Sequence, residues 1–457
     1  MNKKIMFYAS GSFARILNHI PHFIKNYEFS AFCPNYNSQQ TCFNSKYIIN
    51  HKYLYEDFNI IFKNLDYNKS KKKLYFLNLA KIHFADKSSY KKFNGNYQEK
   101  YMLCTSQIIF DYLNKVKPDY VFFPIIESID AMIAFEIAKY LNIKTICYSH
   151  GRLINKSFFS SSYNESLPEY YRSIKCNKLH EIEAKNIIQN FRNNPTPLKY
   201  KYDSEDSNIF ADEIQDNALK RLFLAFKNKY SNERHNKFLK IWVKILVFSE
   251  RLVLPFQNFI YSLKEKYYLK SVKRIPDNFI FFPLHFSPES SINTPSPFYI
   301  DQIRVIDKIL LTKKDNSLLI IKEHPAMFNK RGYSFYKKIN KTPFVRIINK
   351  EISSIEILKK CSKVYSVTGT VCMEAFFLEK DWEQFGENFL SSWIRENEEI
   401  NLKDRPFRFT EDVLKVSSDF MLYSPSNNKE RNNLLFSYSN VKNLSEHLLF
   451  HINQTSA

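Results

Sequence analysis

Polar and ionisable side chains occur in six short clusters, and each cluster directly follows a run of residues that predicts a buried β-strand. Three clusters precede residue 153 and three follow residue 284. Their residue types suit phosphate binding and proton transfer. Because ligands of open parallel sheets bind beyond the carboxyl ends of the strands, we expect these clusters to line a binding site.

The segment Thr368-Gly369-Thr370 separates a predicted strand from a predicted helix that contains Glu374. The first turn of a helix exposes backbone N–H groups at the positive end of its dipole, which favours a bound phosphate. Glu374 lies one turn into the helix and could accept a hydrogen bond from a sugar or ribose hydroxyl. The alternative is simple helix capping by Thr370, with Glu374 opposing the dipole.

The run Lys322-Glu323-His324-Pro325 stands at the exit of another predicted strand. Lys322 and His324 could neutralise phosphate oxygens, and His324 could protonate a departing phosphate. The alternative is a solvated loop.

The segment LHFSPES follows a third predicted strand and contains His285, Glu289 and Ser290. A proline separates the two ionisable residues, so a loop is expected to present them to the ligand. The alternative is a structural histidine beside an exposed glutamate.

The first half of the chain offers a carboxylate pair, Glu127 and Asp130, after the predicted strand 119–123. Either carboxylate could deprotonate an acceptor hydroxyl. Capping of the next helix by Ser128, with Asp130 in its first turn, explains the same residues equally well. The other candidates in this half, at two further strand exits, are Ser10, Gly11 and Arg15, and His150, Gly151 and Arg152.

Strands that alternate with amphipathic helices predict an α/β fold built from parallel sheets. We expect two Rossmann-like domains that face each other across a cleft, with a helical middle segment. The predicted boundaries are 1–162 for an acceptor domain, 163–274 for a basic helical connector, 275–403 for a donor-binding domain, and 404–457 for helices that return to the first domain. Within this scheme we expect helices at 13–27 and at 299–311.

The composition limits the function. Only 6 of 457 residues are glycine, and their spacing excludes a GxGxxG dinucleotide loop and a Walker A loop. A net charge of +21 favours an anionic partner, although lysine could serve solubility alone. The absence of helix-turn-helix, zinc-finger and RNP-type motifs argues against nucleic acid.

The stretch 237–274 is basic and amphipathic. We expect either core packing or peripheral contact with the inner face of the cell membrane. No run of 18 apolar residues predicts a membrane span, so a cytoplasmic location is expected.

The motifs FPLHFSPESS, FYIDQIRVIDKIL, LLIIKEHP and TGTVCMEA, in this order, resemble those of bacterial surface-polysaccharide (capsule and lipopolysaccharide) biosynthesis proteins. The HGR segment at 150–152 and SFFSSSYNESLPEYY at 157–171 resemble the first half of the same family. The resemblance implies a GT-B fold with a nucleotide-sugar bound mainly by the C-terminal domain.

The HP motif and the hydroxyl-rich turn are also similar to those of transferases that use CMP-activated Kdo or sialic acid. This resemblance implies that His324 lies by the donor phosphate and that Thr368 and Thr370 hold the phosphate or nucleotide. The acidic motif that carries the base in those enzymes is not found here, so we assign the base to Glu127, with Asp130 behind it. The GT-B type implies neither a metal nor a cofactor.

We therefore expect a glycosyltransferase that moves a sugar from a nucleotide donor to a growing capsule or lipopolysaccharide glycan. Two same-fold enzymes remain as alternatives, a polyol-phosphate transferase and a nucleotide-sugar epimerase. The third alternative is a non-catalytic polysaccharide-binding or export factor.

Overall fold

The structure is a computed structural model that describes residues 2–10, 13–35, 38–39, 42, 45–85, 95–153, 156–164, 166–196, 198, 263, 271–287, 290–327, 331, 333–422 and 435–456. Most of the predicted connector, including nearly all of the basic stretch 237–274, lies outside these residues. The described chain forms two compact units. The first contains residues up to 175 and from 413 onward, and the second contains 176–198 and 271–412.

Thirteen strands are present in the described residues. In chain order they are β1 Lys3–Tyr8, β2 Tyr27–Cys33, β3 Ile48–Tyr53, β4 Tyr120–Phe123, β5 Lys144–His150, β6 Lys156–Ser160, β7 Ser271–Val272, β8 Phe279–Pro283, β9 Leu318–Lys322, β10 Val345–Ile348, β11 Lys363–Ser366, β12 Asp381–Gln384 and β13 Ser418–Asp419.

The α-helices of the same residues connect and cover these strands. They are α1 Phe13–Leu17, α2 Phe58–Asn64, α3 Tyr67–Lys73, α4 Leu79–Ala85, α5 Gly95–Val116, α6 Ile129–Tyr140, α7 Lys178–Asn193, α8 Ser290–Asn293, α9 Gln302–Thr312, α10 Tyr333–Lys341, α11 Ser354–Lys360, α12 Thr370–Phe377, α13 Phe389–Glu396, α14 Arg405–Val416 and α15 Tyr438–Ser456.

Both sheets contain the strand order of a Rossmann-like half. The first sheet runs β13-β6-β5-β4-β1-β2-β3, and its five strands β3, β2, β1, β4 and β5 are parallel. The second runs β12-β11-β8-β9-β10-β7 and is parallel throughout. β1 lies in the middle of the first sheet and β8 in the middle of the second, and the strand order reverses beside each of them. The predicted α/β class with two Rossmann-like domains is confirmed.

The central strands are buried on both faces, as parallel sheets covered by helices require. Met6 and Tyr8 of β1 pack into a core with α5 and α6, whereas Ile5 and Phe7 pack into a second core with α1 and α15. In the other unit, Ile280 and Phe282 of β8 share a core with α9 and α10. All six named side chains are at most 5% exposed.

Two predicted helices are wrong in extent. The helix predicted at 13–27 is the short α1 followed by a 3₁₀ turn at Ile20–His22, because β2 already begins at Tyr27. The helix predicted at 299–311 begins at Gln302, where the Asp301 side chain accepts a hydrogen bond from the Ile303 N–H.

Several strands were not predicted at all. They are short or lie at sheet edges, where burial on both faces is not required, and comprise β3, β6, β7, β12 and β13. Among the described residues, no helix is both long enough and apolar enough to cross a membrane.

Candidate functional site

The predicted clusters of the second unit come together at one edge of its sheet. The strands β11, β8 and β9 are neighbours and parallel, so their carboxyl ends lie side by side. His285 follows β8, Glu323 and His324 follow β9, and the turn at Gly369 follows β11. The strand order reverses between β8 and β11, which is the position where ligands bind in sheets of this type.

His285 holds the turn after β11 through Nε2 of its ring. Its Nε2 accepts a hydrogen bond from the Val367 N–H at 3.1 Å and lies 3.1 Å from Ser366 Oγ. The Ser366 hydroxyl in turn accepts a hydrogen bond from the Gly369 N–H at 2.9 Å. Since a backbone N–H can only donate, Nε2 has no proton to offer to a ligand.

The backbone of His285 is fixed as well. The Gln302 side chain accepts from its N–H at 2.8 Å and donates to its carbonyl oxygen at 3.1 Å. Gln302 is buried at the first position of α9. The structure therefore assigns His285 to the support of the site.

Glu323 is engaged in a buried network and faces no solvent. Its carboxylate accepts hydrogen bonds from Arg331 Nε at 2.8 Å, from Arg331 Nη2 at 3.0 Å and from the Tyr336 hydroxyl at 2.7 Å. The side chains of Glu323 and Arg331 are 1% and 8% exposed. A carboxylate with these partners supports the fold and has little capacity left for a donor molecule.

His324 and Pro325 lie closer to the surface than the residues before them. His324 is half-buried, with its ring 5.9 Å from the ring of Phe286, and Pro325 is exposed at the start of a 3₁₀ turn. Lys322, the buried last residue of β9, donates from Nζ to the carbonyl oxygens of Lys350 and Ile352 at 2.9 and 2.5 Å.

The turn after β11 leads directly into α12. Gly369 is the N-cap of this helix, and no side chain caps it, so the alternative in which Thr370 is the cap is wrong. Gly369 and Thr370 are half-buried, whereas Thr368 is 2% exposed. A Cβ at Gly369 would stand 2.7 Å from Ser366 Oγ and 2.9 Å from His285 Cε1, so the position admits glycine alone without rearrangement.

Glu374 is 4% exposed, and its Oε1 accepts a hydrogen bond from the Leu198 N–H at 2.8 Å. This contact ties α12 to the chain beyond α7. Two residues of the predicted donor cluster add nothing further: Glu289 lies outside the described residues, and Ser290 is described only as the first residue of α8.

The carboxylate pair of the first unit lies at the corresponding place in its own sheet. Glu127 and Asp130 follow β4, whose neighbour β1 ends at Tyr8. The buried Tyr8 hydroxyl donates a short hydrogen bond to Asp130 Oδ2 across the strand-order reversal. Burial, followed by the negative charge of Asp130, raises the pKa of Tyr8 well above its usual value. Ser128 caps α6, as the alternative reading of this segment required.

The other first-unit candidates have structural partners too. His150 Nδ1 accepts from the Arg152 N–H at 3.0 Å, and Arg152 adopts a left-handed backbone with φ 52°. Burial, with the charge of Arg152 as a second cause, lowers the pKa of His150 to about 3. The Gly151 N–H donates to the Lys156 carbonyl oxygen at 2.9 Å.

The half-buried Ser10 lies in the turn after β1, and its N–H donates to the Tyr8 carbonyl oxygen. The exposed Arg15 places its guanidinium 4.9 Å from the ring of Phe436. Gly11 lies outside the described residues.

Sequence reasoning missed the residues that support the site. They are Tyr8, Gln302, Arg331, Tyr336 and Ser366. Ser366 is the last residue of β11 and could have been included with the turn it precedes. Gln302 lies within the segment FYIDQIRVIDKIL, where it follows the N-cap Asp301. No sequence signal marks Tyr8, Arg331 or Tyr336.

A cavity of about 490 Å³ lies elsewhere in the first unit, among β2, β3 and α5. Its lining includes Lys52, Ser30 and Asp111, and none of the predicted site residues. The Lys52 ammonium is already paired with Glu56 and Asp57. We place the chemistry at the strand ends, where the polar groups converge, and not in this cavity.

Comparisons with known proteins bear on the second unit above all. Residues 179–394 match the family model described as "Capsule polysaccharide biosynthesis protein". This segment is a little under half of the chain and holds all six strands of the second sheet and all of its predicted clusters. No curated protein matches the chain.

Solved structures of low sequence identity also match. The beta Kdo 2,7 transferase of KpsC from Thermosulfurimonas dismutans is 11% identical over 74% of this chain and 89% of its own, with a TM-score of 0.36. The beta Kdo 2,4 transferase of the same KpsC is 14% identical over 65% and 79%, with a TM-score of 0.32. The UDP-GlcNAc 2-epimerase of Methanocaldococcus jannaschii is 14% identical over 98% and 100%, with a TM-score of 0.25.

The family model spans the four motifs FPLHFSPESS, FYIDQIRVIDKIL, LLIIKEHP and TGTVCMEA, whereas the segments 150–152 and 157–171 lie before its first residue. Through residues 179–394, the resemblance of this chain to bacterial capsule polysaccharide biosynthesis proteins is confirmed.

Proposed function

We propose that the chain is a glycosyltransferase that moves a sugar from a nucleotide-activated donor to a growing capsule or lipopolysaccharide glycan. We further propose that the donor is a CMP-linked acidic sugar such as CMP-Kdo. The observation that carries the proposal is the convergence of three neighbouring strand ends, after β8, β9 and β11, inside the segment that matches the family model.

The donor phosphate would bind at the N-terminus of α12. The first-turn N–H groups of this helix, the half-buried Thr370 and the close approach permitted by Gly369 all suit a phosphate. His324 follows the second strand along the sheet and is the half-buried ionisable group of that exit. Its imidazole would stabilise the negative charge that develops on the phosphate as the sugar leaves.

The transfer itself breaks one bond and forms another. An acceptor hydroxyl loses its proton to a carboxylate, its oxygen bonds to the anomeric carbon, and the bond between that carbon and the phosphate oxygen breaks. The electron pair of the broken bond leaves with the phosphate, and His324 can supply a proton to it. CMP and the extended glycan are the products.

Glu127 is the proposed base, with Asp130 as a second carboxylate. Both lie at the strand-order reversal of the first sheet, which supports a role in binding or deprotonating the acceptor. Asp130 accepts a hydrogen bond from the Tyr8 hydroxyl, which suits a supporting carboxylate.

Two further parts of the proposal concern conditions and location. Catalysis would proceed without a metal or another cofactor, and transfer should therefore survive treatment with EDTA. The stretch 237–274 would bring the enzyme to the inner face of the membrane. Binding of the purified protein to vesicles that contain anionic lipid, and its loss when the lysines and arginines of this stretch are replaced, would test that contact.

A thermal-shift panel of CMP, UDP, GDP, dTDP and CDP-glycerol tests the donor class. Stabilisation by CMP and not by UDP supports the proposal. Stabilisation by CDP-glycerol alone would favour a polyol-phosphate transferase, and turnover of a nucleotide-sugar without an acceptor would favour an epimerase. Failure of every nucleotide to stabilise the protein would sink the transferase proposal.

The variant His324→Ala separates catalysis from binding. It should keep the fold and the response to CMP and lose transfer activity. Transfer at the wild-type rate would remove His324 from the site.

A further inference from the structure

Two of the three converging strand ends are joined by a single guanidinium. Arg331 Nη2 donates to the His285 carbonyl oxygen at 2.6 Å, beyond β8. The same nitrogen donates to Glu323 Oε1 at 3.0 Å, beyond β9, and Nε donates to Glu323 Oε2 at 2.8 Å. Its Cζ lies 4.8 Å from the centre of the Phe335 ring, a third contact of the same group.

The Glu323 carboxylate, which Arg331 binds, also fixes the backbone N–H of His324. Glu323 Oε1 accepts a hydrogen bond from the His324 N–H at 2.7 Å, so the side chain of Glu323 folds over the next peptide unit. The direction of this peptide unit sets the direction in which the Cα–Cβ bond of His324 leaves the backbone. One oxygen atom thus links Arg331 to the backbone of His324.

The two oxygens of Glu323 have separable roles. Oε1 contacts the His324 N–H and Arg331 Nη2, whereas Oε2 contacts Arg331 Nε and the Tyr336 hydroxyl. Tyr336 is 1% exposed and stabilises the carboxylate from the side that does not touch His324. Loss of Tyr336 and loss of Arg331 should therefore have different consequences.

We infer that Arg331 is a positioning residue, which aligns His324 with the turn at Gly369 by tying the ends of β8 and β9 together through Glu323 and the His285 carbonyl. The inference rests on the proposed function for its catalytic consequence and on the contacts alone for its structural one. Arginine suits this place because its planar fork donates to a carboxylate in two parallel bonds and retains N–H groups for a third acceptor. A lysine ammonium keeps the charge and loses that geometry.

The test compares Arg331→Lys with Tyr336→Phe in the full chain, and uses Arg346→Lys, at an exposed position of β10, as the control. For Arg331→Lys we expect kcat to fall at least about tenfold, because small misplacements of a catalytic group have effects of this size. The dissociation constant for CMP should stay within about threefold, since the helix N-terminus is untouched. Tyr336→Phe should lower Tm and keep kcat within about twofold, because Oε1 keeps both of its contacts.

Hydrogen exchange supplies a readout that needs no activity. Pro325 has no amide proton, so exchange at His324, measured by NMR or from peptides that begin well before Glu323, is not mixed with exchange at the next residue. We expect the His324 amide to exchange at least about tenfold faster in Arg331→Lys and at the wild-type rate in Tyr336→Phe.

A kcat within twofold of wild type in Arg331→Lys, or unchanged exchange at His324, would overturn the inference. So would an equal loss of kcat in Arg331→Lys and Tyr336→Phe, because the effect would then follow stability alone. If the wild-type protein neither binds CMP nor transfers sugar, the proposed function fails, and the exchange measurement still decides whether Arg331 positions His324.

Discussion

Nε2 of His285 accepts a hydrogen bond from the backbone N–H of Val367 at 3.1 Å, across the point where the strand order of the second sheet reverses. In open parallel sheets a ligand binds at that point, in the crevice outside the carboxyl ends of the strands. Here an imidazole from one side of the reversal supports the turn on the other side, and this turn starts α12. The hydrogen bond of His285 therefore stabilises the backbone conformation of the turn that begins the site.

Replacement of His285 by phenylalanine keeps a ring of similar size and removes the acceptor. The buried N–H of Val367 and the hydroxyl of Ser366 then lose a hydrogen-bond partner, which we expect to lower the free energy of unfolding by about 2 kcal/mol. Urea denaturation measures this change. His19→Phe, at an exposed position, is the control, and equal stability of the two variants would contradict the supporting role.

The two carboxylates of the first unit should differ in their contribution to catalysis. Glu127→Gln removes the proposed base, so we expect kcat to fall by roughly 10²- to 10⁴-fold with little change in KM. Asp130→Asn keeps an acceptor for the Tyr8 hydroxyl and should cost about tenfold or less. Steady-state kinetics with a saturating donor compares them, and a larger loss for Asp130→Asn would reverse the two assignments.

The strand ends and the two sheets could be predicted because the sequence patterns that indicate them involve only residues close together in the chain. An apolar run such as 318–322, buried from Leu319 to Ile321, followed by charged residues and a proline, can be read without knowledge of the fold. The same holds for Gly369 in a chain with few glycines.

The roles of individual side chains could not be predicted in this way. Lys322 and Glu323 stand next to His324 in the sequence, yet one contacts the carbonyl oxygens of residues 350 and 352 and the other contacts Arg331. These partners depend on the order of strands in the sheet. Arg331 belongs to no motif, Gln302 is one polar residue within FYIDQIRVIDKIL, and the fold alone brings both to His285.

Lys322 stands in the predicted phosphate-binding cluster, yet its contacts are with backbone carbonyl oxygens, and a substitution tests which of the two roles it has. Lys322→Met removes the hydrogen bonds to the Lys350 and Ile352 carbonyl oxygens. We expect a loss of about 1–3 kcal/mol in the free energy of unfolding and a dissociation constant for CMP within about threefold of wild type. Calorimetric titration measures the second quantity, and a tenfold weaker binding of CMP in a folded variant would restore Lys322 to the phosphate site.

Two buried histidines of α15 should make the first unit sensitive to acid. Burial lowers the pKa of His447 to about 4, against the effect of a backbone hydrogen bond at Val416, and burial with the charge of His447 lowers the pKa of His451 to about 3. His451 Nδ1 lies 2.9 Å from the Tyr170 hydroxyl. Both rings pack near Phe159.

Proton binding by these two histidines sets the direction in which the free energy of unfolding changes with pH. Each pKa is lower in the folded than in the unfolded chain, so the unfolded chain binds more protons, and stability that is complete above pH 6.5 is lost as the pH falls towards 4 and 3. At pH 5 the loss should be about 2 kcal/mol for each histidine. Urea unfolding at pH 8 and pH 5 measures it, with His447→Phe as the variant whose pH dependence should be smaller. An unchanged pH dependence in that variant would exclude His447 as a cause.

The central claim is that a nucleotide binds at the turn where β11 meets α12. Gly369→Ala tests it, because a Cβ there would stand 2.7 Å from Ser366 Oγ and 2.9 Å from His285 Cε1, whereas a Cβ at Gly95 would meet no atom within 4 Å. Titration calorimetry with CMP on the wild type, Gly369→Ala and Gly95→Ala is the most direct measurement. The account predicts binding to the wild type and Gly95→Ala, with affinity more than about tenfold weaker in Gly369→Ala. Equal affinity of CMP for the two alanine variants would contradict it.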